Sequence, residues 1–183
     1  MHSLALALAL ASAPGTETNA VAGEARSVYT EISDRDCALV PASGEPGDEE
    51  DGLRCKGPAG WELLALSGDL RASVTLVAPG GKEYPLDFWS VITPSFSTLG
   101  PRAEWRMRDI DGQSVPHALV VRVFANEDPD HPERRTAYLA VAKITDSETC
   151  VTDRIAAGPD DNVRARAAAD VASTRPCLGS PAL

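Results

Sequence analysis

EWRMRDIDGQSVPHALVVRVFA, residues Glu104–Ala125, decides the fold. In an extended chain Trp105 and Met107 point to one side, and Glu104, Arg106 and Arg108 to the other. Asp109-Ile110-Asp111-Gly112 has turn chemistry. His117–Ala125, HALVVRVFA, is a second strand rich in β-branched and aromatic residues. Strand, tight turn and strand make an antiparallel hairpin.

The same grammar continues on both sides. Downstream, Thr136–Ile144 reads TAYLAVAKI, another strand. Asn126–Arg135 between them holds two prolines and many charges, a long exposed connection. Asp146-Ser147-Glu148 turns the chain into a last strand at Cys150–Ile155. Upstream, Trp61–Leu66 and Leu70–Ala78 form a hairpin across Ser67-Gly68-Asp69. Val28–Ile32 and Cys37–Val40 are shorter extended segments. Residues 82–101 contain three prolines and are expected to be irregular, with Phe88, Trp89 and Phe96 packed inward.

Pro159–Ser173 is the one helix. Pro159 suits a first turn, and Asp160 and Asp161 suit the positive end of the helix dipole. Val163, Ala167 and Val171 recur at four-residue spacing as a narrow apolar stripe. So small a stripe makes the helix depend on its flanking crosslink. Strands first and helix last give an α+β domain over residues 27–178, an antiparallel meander of about six to eight strands with one C-terminal helix packed on it. An all-β sandwich is the alternative.

Four cysteines and an apolar leader set the compartment. Residues 4–13 read LALALALASA, too short for a bilayer span and suited to a secretory signal. Ala20-Val21-Ala22 is the preferred cleavage site, so residues 1–22 form the signal and 23–26 a flexible tail. The usual leading Lys or Arg is missing from Met1-His2-Ser3. Cys37, Cys55, Cys150 and Cys177 are even in number and have no CxxC spacing, which favours disulfides over zinc. Of three pairings, Cys37–Cys55 and Cys150–Cys177 close the shorter loops. The first would staple the base of Pro41–Gly52, which holds Glu45, Asp48, Glu49, Glu50 and Asp51. Residues 179–183 are a C-terminal tail.

The chain has 17 Lys+Arg against 27 Asp+Glu, a net charge of −10. That excludes nucleic acid as a natural partner and favours a cationic one. No later segment is apolar for 18 residues, so no helical membrane span is expected. A monomer without cofactor is expected.

No nucleophile elbow, zinc-protease helix, phosphate loop or dinucleotide fingerprint occurs. His117 opens a strand and reads as structural or simply exposed. Asp128–Glu133 places acids around His131, ligand types for a divalent ion, but a solvated charged loop explains them better. Asp109-x-Asp111-Gly112 is a turn, not a calcium loop. Glu104, Arg106 and Arg108 suit a charge ladder. Arg122 interrupts an apolar strand beside Val120 and Phe124: it is either exposed with its face or buried against an acid, and exposure is the cheaper state.

Ser27-Val28-Tyr29-Thr30, Cys37, Cys55, Gly68-Asp69-Leu70-Arg71, Leu99-Gly100, Glu104-Trp105-Arg106, Cys150 and Cys177 together resemble a family of uncharacterised proteins secreted by proteobacteria. The resemblance spans most of residues 27–178. Ala72-Ser73 departs from it, where aromatic residues are expected. It implies an extracytoplasmic location. Gly80-Gly81-Lys82-Glu83-Tyr84 also faintly resembles the inhibitory loop of periplasmic lysozyme inhibitors, whose targets are cationic. The expected function is therefore a secreted or periplasmic binding or envelope protein, inhibitor-like, with a cationic protein or envelope component as partner. The candidate contact residues are Lys82, Tyr84, Arg106, Arg108, Arg122 and His131. A cell-envelope hydrolase is the alternative.

Overall fold

The computed structural model describes residues 25–41 and 52–179. The proposed signal segment, most of the acidic loop and residues 180–183 lie outside the described residues.

Ten strands form two five-stranded antiparallel sheets. They are β1 Arg26–Glu31, β2 Ala38–Val40, β3 Gly52–Lys56, β4 Glu62–Gly68, β5 Arg71–Val77, β6 Glu83–Pro85, β7 Ser97–Ile110, β8 Gln113–Ala125, β9 Thr136–Ile144 and β10 Thr149–Ala156. One sheet runs β1-β7-β8-β9-β10 and the other β2-β3-β4-β5-β6. Each is nearly a meander, so hairpin-length connections were the right guide to pairing. The single sheet of the expectation is corrected to two, because β1 joins β7 while the chain crosses away to build β2–β6. The helix of the α+β expectation is present, and the two-layer arrangement belongs to the sandwich alternative.

The main core lies between the sheets. Trp105, Leu119, Val121 and Val123 of the longer sheet meet Leu63, Val74 and Leu76 of the other, all at most 1% exposed. Trp105 donates its indole N–H to Thr30 Oγ1 at 2.9 Å. Gly57 makes room for it: a Cβ there would stand 2.7 Å from Trp105 Cζ2. The β7–β8 hairpin turns on Asp111 and Gly112, both at positive φ, as the turn signal required.

The other face of β8 and β9 is buried too. Ala118, Val120, Leu139 and Val141 pack beneath helix α2, Asp161–Asp170. Burial on both faces explains why HALVVRVFA and TAYLAVAKI lack clean alternation. The helix uses a different stripe from the expected one. Val163, Ala167 and Val171 are exposed, while Ala165, Ala169 and Ala172 are fully buried. Methyl-sized side chains let the helix lie close on the sheet, and charged side chains then reach across the seam.

Residues 82–101 hold more order than expected. β6 precedes a one-turn helix, α1 Phe88–Val91, and β7 already begins at Ser97. Phe88 and Ile92 lie four apart and enter the core, which turns Trp89 out. Phe96 alternates outward from buried Ser97. Two of the three aromatics expected inside are therefore on the surface.

Both disulfides join the expected partners, Cys37–Cys55 and Cys150–Cys177. The first does not staple the base of the acidic loop. In the β2–β3 hairpin Val40 pairs with Gly52 beside that loop, and the disulfide closes the opposite end.

Candidate functional site

The β4–β5 turn places two residues in the left-handed region, Asp69 at φ 49° and Leu70 at φ 60°. This primed geometry matches the twist of a hairpin, but it favours Asn-Gly over a bulky side chain. The strained position holds Leu70 in solvent, 65% exposed. Its carbonyl accepts from Ser97 N at 2.9 Å, which anchors the turn to β7. Arg71 donates from Nε to Pro94 O at 2.8 Å, pairs with Asp69, and lays its guanidinium 5.4 Å from the centre of the Phe96 ring. Two shallow hollows flank this arginine. One, of about 200 Å³, lies between Leu70, Phe96 and Phe124; the other, of about 430 Å³, lies between Asp69, Arg71, Trp89 and Pro94. Leu70, Phe96 and Trp89 are thus exposed apolar groups around a tethered arginine.

At this end the charged side chains that line the two hollows are Asp69, Arg71 and Arg135. The β8–β9 connection leaves beside this end, since Asn126 N donates to Phe96 O at 2.8 Å. That connection carries Glu127, Asp128, Asp130 and Glu133 against Arg134 and Arg135.

The residues singled out from sequence divide into three places. Lys82 and Tyr84 lie at the opposite end of β5. Lys82 Nζ sits 4.7 Å from the centre of the Tyr84 ring, and Tyr84 packs on Trp61. His131 is exposed in the β8–β9 connection, with Nδ1 3.4 Å from Glu133 Oε1. The neighbouring Asp128 accepts from Asp130 N, which makes a local turn. Arg106, Arg108 and Arg122 lie in the seam between sheet and helix. The sequence reading has Leu70 and Arg71 as the start of the strand Leu70–Ala78 and in the resemblance, not as contact residues. The strand instead begins at Arg71, with Leu70 in the turn, and Trp89 and Phe96 were expected inside. An Asp-Leu pair where a primed turn calls for Asn-Gly was the available signal for Leu70.

The seam is an ion-pair network rather than a ladder. Buried Arg106 forks onto Asp170 of α2, Nε to Oδ1 at 2.8 Å and Nη2 to Oδ2 at 2.9 Å. It also donates to Ser27 Oγ and Ala25 O. Glu104, likewise buried, accepts from Arg166 Nε at 2.6 Å and Nη2 at 3.2 Å and from Ser27 Oγ. Arg108 donates to the Asp170 carbonyl. Arg122 is half-buried against an acid: its Nη1 donates to Asp161 Oδ2 at 3.0 Å. That bond, with burial opposing it, holds the Asp161 carboxyl below its ordinary range.

His117 stands at a bulge in β8, between the pairs Arg106–Ala118 and Met107–Pro116. Its ring is buried, neither nitrogen has a hydrogen bond, and Nε2 lies 3.6 Å from Asp170 Oδ1. Burial first, then the charge of Arg108, lowers its pKa despite Asp170. The unfolded chain therefore takes up a proton more readily than the folded one. Stability should be constant above about pH 6.5 and fall as pH drops below it. Thermal melts from pH 7.5 to 5 should show this decline, and His117→Phe should flatten it. An unchanged slope in that variant would assign the decline elsewhere.

Among the described residues, one group has metal-ligand types in reach, Glu148 with Cys150 and Cys177, but both sulfurs are spent in the disulfide. Compared with protein-family models, characterised proteins and solved structures, the chain shows no match.

Proposed function

We propose that the protein is a secreted or periplasmic binding protein whose partner is a cationic protein that seats apolar side chains on the Leu70–Phe96–Trp89 end. The observation that carries this reading is Leu70 itself, an aliphatic side chain held in solvent at a backbone conformation unfavourable to it. Exposed aromatic and arginine side chains on rigid supports are the usual anchors of protein interfaces. The net charge of −10 supplies the long-range complement for a cationic partner. Two formed disulfides and the apolar leader agree with an oxidising compartment. No helix among the described residues is long and apolar enough to cross a membrane. The hydrolase alternative has less support, because His117 is enclosed by Arg106, Arg108 and Asp170 rather than set beside a hydroxyl.

The test compares variants. Mature protein is immobilised, and basic proteins retained from a periplasmic extract are quantified. Leu70→Asp should lower retention by about tenfold or more, the scale of an interface anchor. The same variant should melt no lower than wild type, because Asp tolerates the left-handed region better than Leu. Raised salt should also weaken retention, and Lys82→Ala should not. Equal retention by wild type, Leu70→Asp and Trp89→Ala would sink the proposal.

A further inference from the structure

A second surface, independent of the Leu70 end, lies beside the helix on the outer face of the β1–β10 sheet. Between Leu99 and Ala103, β7 advances four residues while β8 advances two, from Val123 to Val121. The surplus bulges out opposite Arg122 and opens a groove of about 330 Å³. Val120 and Leu139 form its nearly buried floor, Pro101 and the Tyr29 ring supply its exposed apolar walls, and Arg102, Arg122 and Arg166 line it.

The exposure of these charges is asymmetric. Glu104 and Asp161, the acids paired with Arg166 and Arg122, have side chains only 10% and 12% exposed. The arginines themselves are 40% and 25% exposed, and Arg102 is 58% exposed. Arg102 is tied to Glu31 only across 3.5 Å, at the rim. A molecule entering the groove therefore meets mostly guanidinium surface: Glu104 also lines the groove but is taken up by Arg166 and Ser27, Asp161 is covered, and Glu31 balances Arg102 at the rim. Each guanidinium has five N–H donors in a plane suited to an oxyanion, and the bonds inside the protein leave donors over. Arg166 Nη2 also donates to Tyr29 OH at 3.0 Å, and Arg122 reaches Asn162 Oδ1 at 3.4 Å, so the polar wall is braced.

We infer that this groove binds a small organic anion, with a carboxylate or phosphate head on the three arginines and an apolar body over Val120 and Leu139. The volume suits a ligand of that size. The net charge of the whole chain opposes an anion at long range, so recognition must be local and desolvated. Such a contact survives moderate salt better than a diffuse surface attraction does.

The test is an amide NMR titration of the mature protein with phenyl phosphate, benzoate, inorganic phosphate and benzyl alcohol as probes. Saturable shifts are expected around residues 29, 102, 120 and 162 with phenyl phosphate or benzoate, and the tighter of the two assigns the head group. Inorganic phosphate should bind at least fivefold more weakly, and benzyl alcohol should cause no saturable shift there. Arg102→Gln removes a charge that supports no buried partner, so it should keep the wild-type melting temperature yet weaken binding about tenfold. Binding of inorganic phosphate as tight as that of both organic anions overturns the apolar-body assignment. No saturable shift with any anion, or binding unaltered in Arg102→Gln, overturns the site. Neither result bears on capture through Leu70.

Discussion

Asp170→Ala is expected to cost about 3 kcal/mol of stability. Asp170 takes both arms of Arg106, whose side chain is 9% exposed. Without it that guanidinium keeps Ser27 Oγ and the Ala25 carbonyl, and the nearest remaining carboxylate is Glu104 at 3.9 Å, already engaged by Arg166. A buried charge stripped of its counter-ion costs more than the intact pair contributes. Replacing both partners should therefore be milder than replacing one. Urea melts of Asp170→Ala and of Arg106→Met/Asp170→Ala check this: the double variant should recover part of the loss. Amide exchange should rise across Asp161–Asp170 in the single variant. Equal losses in both variants would show that the stranded charge is not the source.

Removing the Cys150–Cys177 bond in the Cys150→Ala/Cys177→Ala variant is expected to cost about 3.5 kcal/mol, the loop-closure value for a 27-residue separation. The two losses should fall on different segments. The narrow stripe read from sequence makes the helix lean on this crosslink. The observed seam gives the helix its own anchors: buried Ala165 and Ala169 and the pairs Arg106–Asp170, Arg166–Glu104 and Arg122–Asp161. The segment after it is held by one buried side chain, Ala172, one ion pair, Arg175 to Asp153 at 2.7 Å, and the bonds from Leu178 N to Val151 O at 2.8 Å and from Lys143 Nζ to the Arg175 carbonyl at 3.0 Å. Exchange should therefore rise first at residues 172–179 while 161–170 stays protected. Early exchange of 161–170 would show that the tether, not the seam, holds the helix.

The difference between these two expectations shows which parts of the site were legible. Val163, Ala167 and Val171 look like a buried stripe because valine is the more apolar choice. Against a flat sheet, close approach favours alanine, so Ala165, Ala169 and Ala172 face inward and the valines do not. A one-turn helix is too short for periodicity to fix its phase, which is why Trp89 was expected inside. Arg122 was legible as an anomaly in an apolar strand. Its partner lies 39 residues away in the chain, and no local pattern announces Asp161.

The residues themselves determined eight of the ten strands, all but β3 and β6, with their antiparallel pairing through short turns, the single long helix and the two local disulfides. These depend on side-chain alternation, turn chemistry and loop length, all properties of neighbours in the chain. Only the tertiary structure decided that the strands divide into two sheets, that β1 joins β7, and that Arg102, Arg122 and Arg166 meet at one groove. Those outcomes depend on which apolar faces bury each other, and on charges brought together from distant strands and the helix. Leu70 stands between the two. A hairpin was legible there, but with its turn at Ser67-Gly68-Asp69; that the turn is Asp69-Leu70, and that Leu70 is exposed beside Phe96 and Trp89, follows from the pairing of Gly68 with Arg71 and the anchoring of the turn to β7.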